Sequence, residues 1–401
     1  MAVVRSGRGL VALLAVGVLA AACSSGGDDD GSAGAGDAGA DTTAPADDVV
    51  YPGDSWDRGD AAEAGFDTTV LDRVGAAAEA SGSTCMVVTK DGEVVDERYW
   101  GAGAADVPRE AFSVTKSITS TLVGIAQDRG DLDVGQPASD FITAWQDTPS
   151  ADVTVEDLLS NDSGRHWDLA TDYVQLVRAP DKNAFGIGLA QDVPPGQTWA
   201  YNNSAIQTLS AVLEGAVGES PQDFAATELF EPIGMADSQM TLDGAGNTVT
   251  FMGLQTTCLD LARFGYLLLH GGAWDGDQVV SQDYVEQATG RSSTELNAGY
   301  GWLFWLNRPG RLAGPIQATT GQPGGDVADG QLVPGAPEDV FWALGFNDQV
   351  VAVIPSEGVV AVRMGDKPPA EAPFGRNELT LGVLEALGMP VTAAPPPVPA
   401  G

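Results

Sequence analysis

The chain has 401 residues, 19 Lys+Arg against 56 Asp+Glu, and a formal net charge of −37. That length gives one large or two medium domains with ample chain to bury a core, and 43% hydrophobic residues mark globular rather than disordered acidic material. The charge argues against nucleic acid as a partner, because phosphate is bound by clustered Lys and Arg. Lysine occurs only at Lys90, Lys116, Lys182 and Lys367, and histidine only at His166 and His270.

Arg5 and Arg8 precede an apolar run over 9–22, too short to stay across a bilayer. Ala20-Ala21-Ala22-Cys23 follows and resembles a bacterial lipobox, with Ala20 where Leu is usual. The expectation is a signal segment over 1–23, lipidation of Cys23, and an exported chain anchored to the outer face of the cytoplasmic membrane, or secreted if unlipidated. Residues 24–50 are polar, acidic and of low complexity, and read as a flexible linker. A formal G-x-G-x-x-G over 34–39 lies in that linker, follows no strand, and carries no nucleotide reading. Residues 391–401 are Pro-rich and read as a disordered tail. Cys85 and Cys258 remain, and either pair in an exported chain or pack as small apolar thiols.

Over 51–390 the pattern is that of a folded domain. Residues 84–90 and 93–100 flank Asp91-Gly92 and predict a hairpin. Residues 113–130 predict a helix opened by Ser113 and ended by Gly130. Helices are predicted from 154, over 204–217, over 257–270 and over 377–388. Strands are predicted over 300–306, 340–345, 349–354 and 358–364. Strand-rich ends around a helix-rich middle imply an α/β (α+β) fold. Its antiparallel sheet would be built from both ends of the chain, with a helical subdomain inserted over about 126–290. The Gly/Pro-rich stretch 308–339 is long for a strand connection and would be a mobile lid or an inert surface loop.

No G-x-S-x-G, H-E-x-x-H, P-loop or paired C-x-x-C occurs, so no metal or cofactor is expected. His270 ends a predicted helix before Gly271-Gly272 and suits a C-terminal cap better than a base. Ser113-Val114-Thr115-Lys116 stands out. At a helix start, positions i and i+3 share a face, so the ammonium lies beside the hydroxyl. The helix N-terminus offers N–H groups to an oxyanion, and a desolvated lysine of lowered pKa can act as the base for serine. The bland alternative is an exposed Ser and Lys on a helix surface. Phe112, Val114, Ile118 and Leu122 make that helix apolar around the pair.

Five segments in order then resemble the class C β-lactamase-related serine hydrolases, the penicillin-recognising superfamily. They are the first box over 111–117 (AFSVTKS), 157–164 (DLLSNDSG), Pro195-Gly196 with Tyr201-Asn202-Asn203, 232–235 (PIGM), and Thr256-Thr257 with 260–265 (DLARFG). The resemblance implies that Ser113 is acylated, that Lys116 takes its proton, and that Tyr201, with a pKa lowered by the ammonium, is base or acid toward the leaving group. It also implies that Asn203 bonds Lys116 or the substrate amide, although Asn203 or Ser204 would equally serve as a helix N-cap. The third box departs from the family, because Ala343-Leu344-Gly345 stands where Lys-Thr-Gly is usual. Gly345 keeps the close approach, and the N–H of Phe346 would share an oxyanion hole with Ser113. Loss of that lysine and hydroxyl disfavours penicillins and D-Ala termini. It favours a small neutral ester or amide, as in the esterase and 6-aminohexanoate-dimer hydrolase branch. His166 and Trp167 are the best pocket candidates. Tyr173, Phe185, Trp302 and Trp305 line either the cleft or the core. The rival readings are D,D-carboxypeptidase or β-lactamase activity, and a silent cell-surface binding protein of the same fold.

Overall fold

A computed structural model describes residues 49–320 and 328–391. The expected lipidated Cys23, most of the linker and nearly all of the tail lie outside those residues.

In chain order the elements that matter are β1 (Asp57–Arg58), α1 (Thr68–Ala80), β2 (Ser83–Lys90), β3 (Glu93–Tyr99) and α2 (Val114–Asp128). There follow β4 (Thr198–Ala200), α3 (Asn203–Gln207), α4 (Leu209–Val217), α5 (Cys258–Leu269), β5 (Trp305–Leu306) and β6 (Ala318–Thr320). The chain closes with β7 (Phe341–Gly345), β8 (Gln349–Ile354), β9 (Val359–Gly365) and α6 (Arg376–Ala386). One seven-stranded sheet runs β1-β3-β2-β9-β8-β7-β5. Only the β1–β3 pair is parallel. The two ends of the chain meet where β9 pairs with β2, for example Val362 opposite Val87. The fold is the expected mixed one with an antiparallel sheet.

Helices cover both faces. Gly265 of α5 packs onto Val351 and Val360, whereas the Trp342 indole, on the opposite face, donates to Thr380 Oγ1 of α6 at 3.0 Å. This explains why β8 reads as an unbroken apolar run: every residue of it is buried, as in a sheet with no solvent face. Arg363 is fully buried within β9. Its guanidinium donates to Ser83 Oγ and to the carbonyls of Asn347, Asp348 and Asp366, which pins the turn between β7 and β8. Cys85 of β2 and Cys258 of α5 form a disulfide that resolves the open alternative.

Several expectations change. The 300–306 run is mostly a buried turn: Leu303 has φ 61, Gly301 N–H donates to Phe304 O at 2.9 Å, and only Trp305–Leu306 pairs. An apolar run alone does not separate a strand from a buried loop. The 204–217 helix is broken at Thr208, whose hydroxyl turns back onto Ala205 O at 2.6 Å. Its N-cap is Asn202, which accepts from Ala205 N–H, not Asn203 or Ser204. Helix α1 was not foreseen, although Asp67 caps it by accepting from Thr69 and Val70 N–H. In the described part of 308–339, β6 pairs antiparallel with β4, so that stretch is tied to the strand before Tyr201.

Candidate active site

Three segments converge on Ser113. The first is the start of α2. Phe112 has φ 49, a left-handed conformation that costs a bulky residue strain. It is held there by Thr115, whose N–H and hydroxyl both donate to Phe112 O, at 3.0 and 2.5 Å. The turn delivers Ser113 half-buried at the helix entrance with its hydroxyl free of capping duty. Lys116, one turn on, is 1% exposed. Its Nζ lies 2.8 Å from Ser113 Oγ and 2.8 Å from Phe251 O. Burial pulls the Lys116 pKa down to about 7, against the opposing pull of Asp172.

The second segment follows β4. Tyr201 is buried with its ring centroid 4.6 Å from Lys116 Nζ. Trp305 stacks on the phenol at 5.6 Å, and Tyr300 meets it edge-on at 5.8 Å. Burial raises the Tyr201 pKa, the Ser113 hydroxyl opposes this, and Asp172 adds to it. The expected lowering by the ammonium is therefore overturned. A buried lysine is itself half neutral near pH 7, and the apolar ring cage penalises phenolate.

The third segment is the end of β7. A Cβ on Gly345 would come within 2.3 Å of Ala111 O, so only glycine lets this strand approach the turn before Ser113. The Phe346 ring, 65% exposed, meets Phe112 edge-on at 5.7 Å. Gln349 is buried and ties this turn down, donating to Phe346 O, Asn347 O and Gly365 O.

A model of the Beta-lactamase family matches residues 68–384. The chain belongs to that family. Among curated relatives it is 26% identical over 237 residues to a 6-aminohexanoate-dimer hydrolase of Paenarthrobacter ureafaciens, covering 54% of this chain. The match spans only 59% of that hydrolase's own length. It is 27% identical over 343 residues to penicillin-binding protein 4 of Amycolatopsis lactamdurans, covering 75% of this chain and 84% of the relative. A penicillin-binding protein homologue from Caulobacter crescentus shares the fold, with TM-score 0.57, 17% identity and coverage of 78% and 94%.

Within this Beta-lactamase-family site, Asn203 does not bond Lys116. Its Nδ2 donates to Asp172 Oδ2 at 2.8 Å. The buried Asp172 was not singled out from the sequence. It sits in a π-helical turn, Thr171–Gln175, and no periodicity signals it. The one hint was its position in a His-Trp-containing loop after 157–164. Asp172 also accepts from Asn203 N–H, Ser204 N–H and Ser204 Oγ at 2.7–2.9 Å.

His166 and Trp167 stand beside the cluster rather than in it. Trp167 Nε1 donates to Tyr201 O at 3.1 Å. His166 is clamped between Asp192 at 2.8 Å and Asp168 at 3.0 Å. Slight burial works against its charged form, but the two carboxylates prevail and its pKa is raised. Trp167 and Asp192 line a cavity of about 170 Å³ that also takes in Asn161, Arg165, Asn202 and Ala318. Of the other aromatics, Trp302 packs against Tyr284 in the core, Phe185 is half-buried, and the Tyr173 hydroxyl reaches Pro315 O at 2.7 Å. His270 ends α5 as its C-cap. No cluster of potential metal ligands occurs among the described residues.

Proposed function

We propose that the chain is an exported serine hydrolase that cleaves a small ester or amide through an acyl-serine at Ser113. The observation that carries this reading is the Lys116 amine, buried and held 2.8 Å from the Ser113 hydroxyl, with its pKa brought down to about 7. Near neutral pH much of Lys116 therefore carries a lone pair. That lone pair takes the Ser113 proton as Oγ bonds to the substrate carbonyl carbon. The resulting oxyanion faces the N–H groups of Ser113 and Phe346. When the intermediate collapses, the bond from carbon to the leaving oxygen or nitrogen breaks. The leaving group takes the proton of the Tyr201 hydroxyl, which is restored from the Lys116 ammonium. A neutral phenol suits this relay better than a phenolate. Water then adds to the ester with its proton passing to Lys116, and Ser113 Oγ recovers that proton as the acid departs.

Ala343 and Leu344 bring no ammonium or hydroxyl to the cleft edge, which supports a neutral substrate. The Paenarthrobacter relative is named for hydrolysis of a 6-aminohexanoate dimer, which supports a small substrate. The Amycolatopsis relative keeps D,D-carboxypeptidase or β-lactamase activity as the second reading. The Cys85–Cys258 disulfide supports export, since such bonds persist in oxidising compartments. With the sequence around Cys23 it supports a lipid-anchored chain, tested by palmitate incorporation that Cys23→Ala abolishes.

A fluorophosphonate probe tests the chemistry. Mass should appear on Ser113 and vanish in Ser113→Ala. A folded protein that stays unlabelled would leave only a binding protein of this fold. Turnover of p-nitrophenyl butyrate, nitrocefin and a D-Ala-D-Ala peptide then separates the substrate readings, and fast nitrocefin hydrolysis would overturn the argument from Ala343.

A further inference from the structure

Asp172 is 1% exposed and belongs to no sequence box. Both its oxygens are caged. Oδ1 accepts from Ser204 N–H at 2.7 Å and Ser204 Oγ at 2.8 Å, and Oδ2 accepts from Asn203 N–H at 2.9 Å and Asn203 Nδ2 at 2.8 Å. Burial raises its pKa, while the hydrogen bonds from Asn203 and Ser204 and the Lys116 charge pull it down. Three of the four partners are N–H groups that can only donate, so a protonated carboxyl would meet donors with a donor. The ionised form is the one this cage accepts. The cage is the first turn of α3, which directly follows Tyr201 and Asn202.

The same carboxylate acts on the other side of the site. Lys116 directs its hydrogen bonds to Ser113 Oγ and Phe251 O. The Tyr201 ring centroid is 4.6 Å from the Lys116 Nζ, and Asn203, two residues on, is bonded to Asp172 through both its N–H and its Nδ2, so the carboxylate is built into the segment beside the amine and its charge favours the ammonium. Ser113, at the start of the same helix, and the Tyr201 ring touch the lysine; Tyr300 meets Tyr201 edge-on, and Asp172 and Tyr173 come from the π-helical turn. The reaction must create an ammonium at Lys116 in this buried place. An uncompensated buried charge is costly.

We propose that Asp172 is a positioning residue for this reaction: it is the built-in counter-ion for the ammonium that forms when Lys116 takes the Ser113 proton, and it fixes Asn203 and the chain after Tyr201 to that charge. The proposal rests on the serine hydrolase reading above. In it, the Asn203 amide is not free to turn, because its Nδ2 must face the carboxylate, and its Oδ1 is buried without a partner.

The test is the pH dependence of fluorophosphonate labelling at Ser113, read by mass. Wild type should show labelling that rises with pH through a limb set by Lys116. Asp172→Asn removes the charge that favours the ammonium, so its limb should move to lower pH by about one unit, and its plateau rate should fall at least tenfold. Asp172→Ser is a second neutral variant, in case the amide cannot enter the cage. Asp172→Glu should bring the limb back. Ser204→Ala removes one hydrogen bond and keeps the charge, so its limb should not move even if its melting temperature drops. A folded neutral variant with the wild-type limb and rate would overturn the proposal, as would an equal limb shift in Ser204→Ala. Failure of both neutral variants to fold would also overturn it, by assigning Asp172 to the framework alone. No labelling of wild type at all would instead sink the hydrolase reading.

Discussion

Two groups of titratable side chains lie near the Tyr201-Asn202 segment, and their environments drive them apart. Lys116, Tyr201 and Asp172 are almost wholly buried. His166, Asp168 and Asp192 sit at the rim, with side chains one-third to one-half exposed. At the rim opposite charges touch, yet water screens them and His166 moves only upward from its ordinary range. In the interior Lys116 has no carboxylate in contact, yet desolvation alone carries it to about 7. Burial lowers the one group, and charge pairing raises the other.

That contrast can be broken most sharply at Lys116. Lys116→Met keeps the buried volume and removes the base, and should slow Ser113 labelling by about 10²–10⁴-fold with the circular dichroism of wild type. Unchanged labelling would refute its role. In wild type the labelling rate should rise as pH passes through about 7, because the reactive form is the neutral amine. A rate flat from acid to alkaline pH would return the base role to another group. Tyr201→Phe should cost about 10²-fold in turnover, and more for an amide than for an ester, since an amine leaves poorly without a proton. Equal losses on both would argue that Tyr201 only packs.

The Cys85–Cys258 bond anchors the start of α5 to the sheet. Replacing both cysteines by Ala should lower unfolding stability by about 2–5 kcal/mol in urea titration, while the labelling rate at low temperature stays near wild type. The smallest effect belongs to the rim. His166→Ala should leave labelling within twofold at every pH. A larger loss would draw His166 into the chemistry.

The legible parts of the molecule were those written in local pattern. The D-G turn, the apolar strands near the C-terminus and the Ser113–Lys116 spacing each follow from one stretch of chain, and they lie where the sequence puts them. Where a pattern had two physical meanings, it misled. The 300–306 run is apolar because it is buried, not because it pairs. The 204–217 run has helical periodicity throughout, but Thr208 offers the backbone an alternative partner.

By itself, then, the sequence determined the family, the mixed fold and the serine and lysine on one helical face. Those rest on residue types at short, fixed separations. Only the tertiary structure decided the protonation states and the partners. Lys116 is lowered because segments from 201, 251 and 300 close over it. Tyr201 is raised for the same reason, contrary to what neighbouring charge suggested. Asp172 became visible only when a π-helical turn brought it to the start of α3. Desolvation depends on everything packed around a group, and no spacing along the chain records that. The scarcity of lysine marked where to look, and the packing around Lys116 decided what it can do.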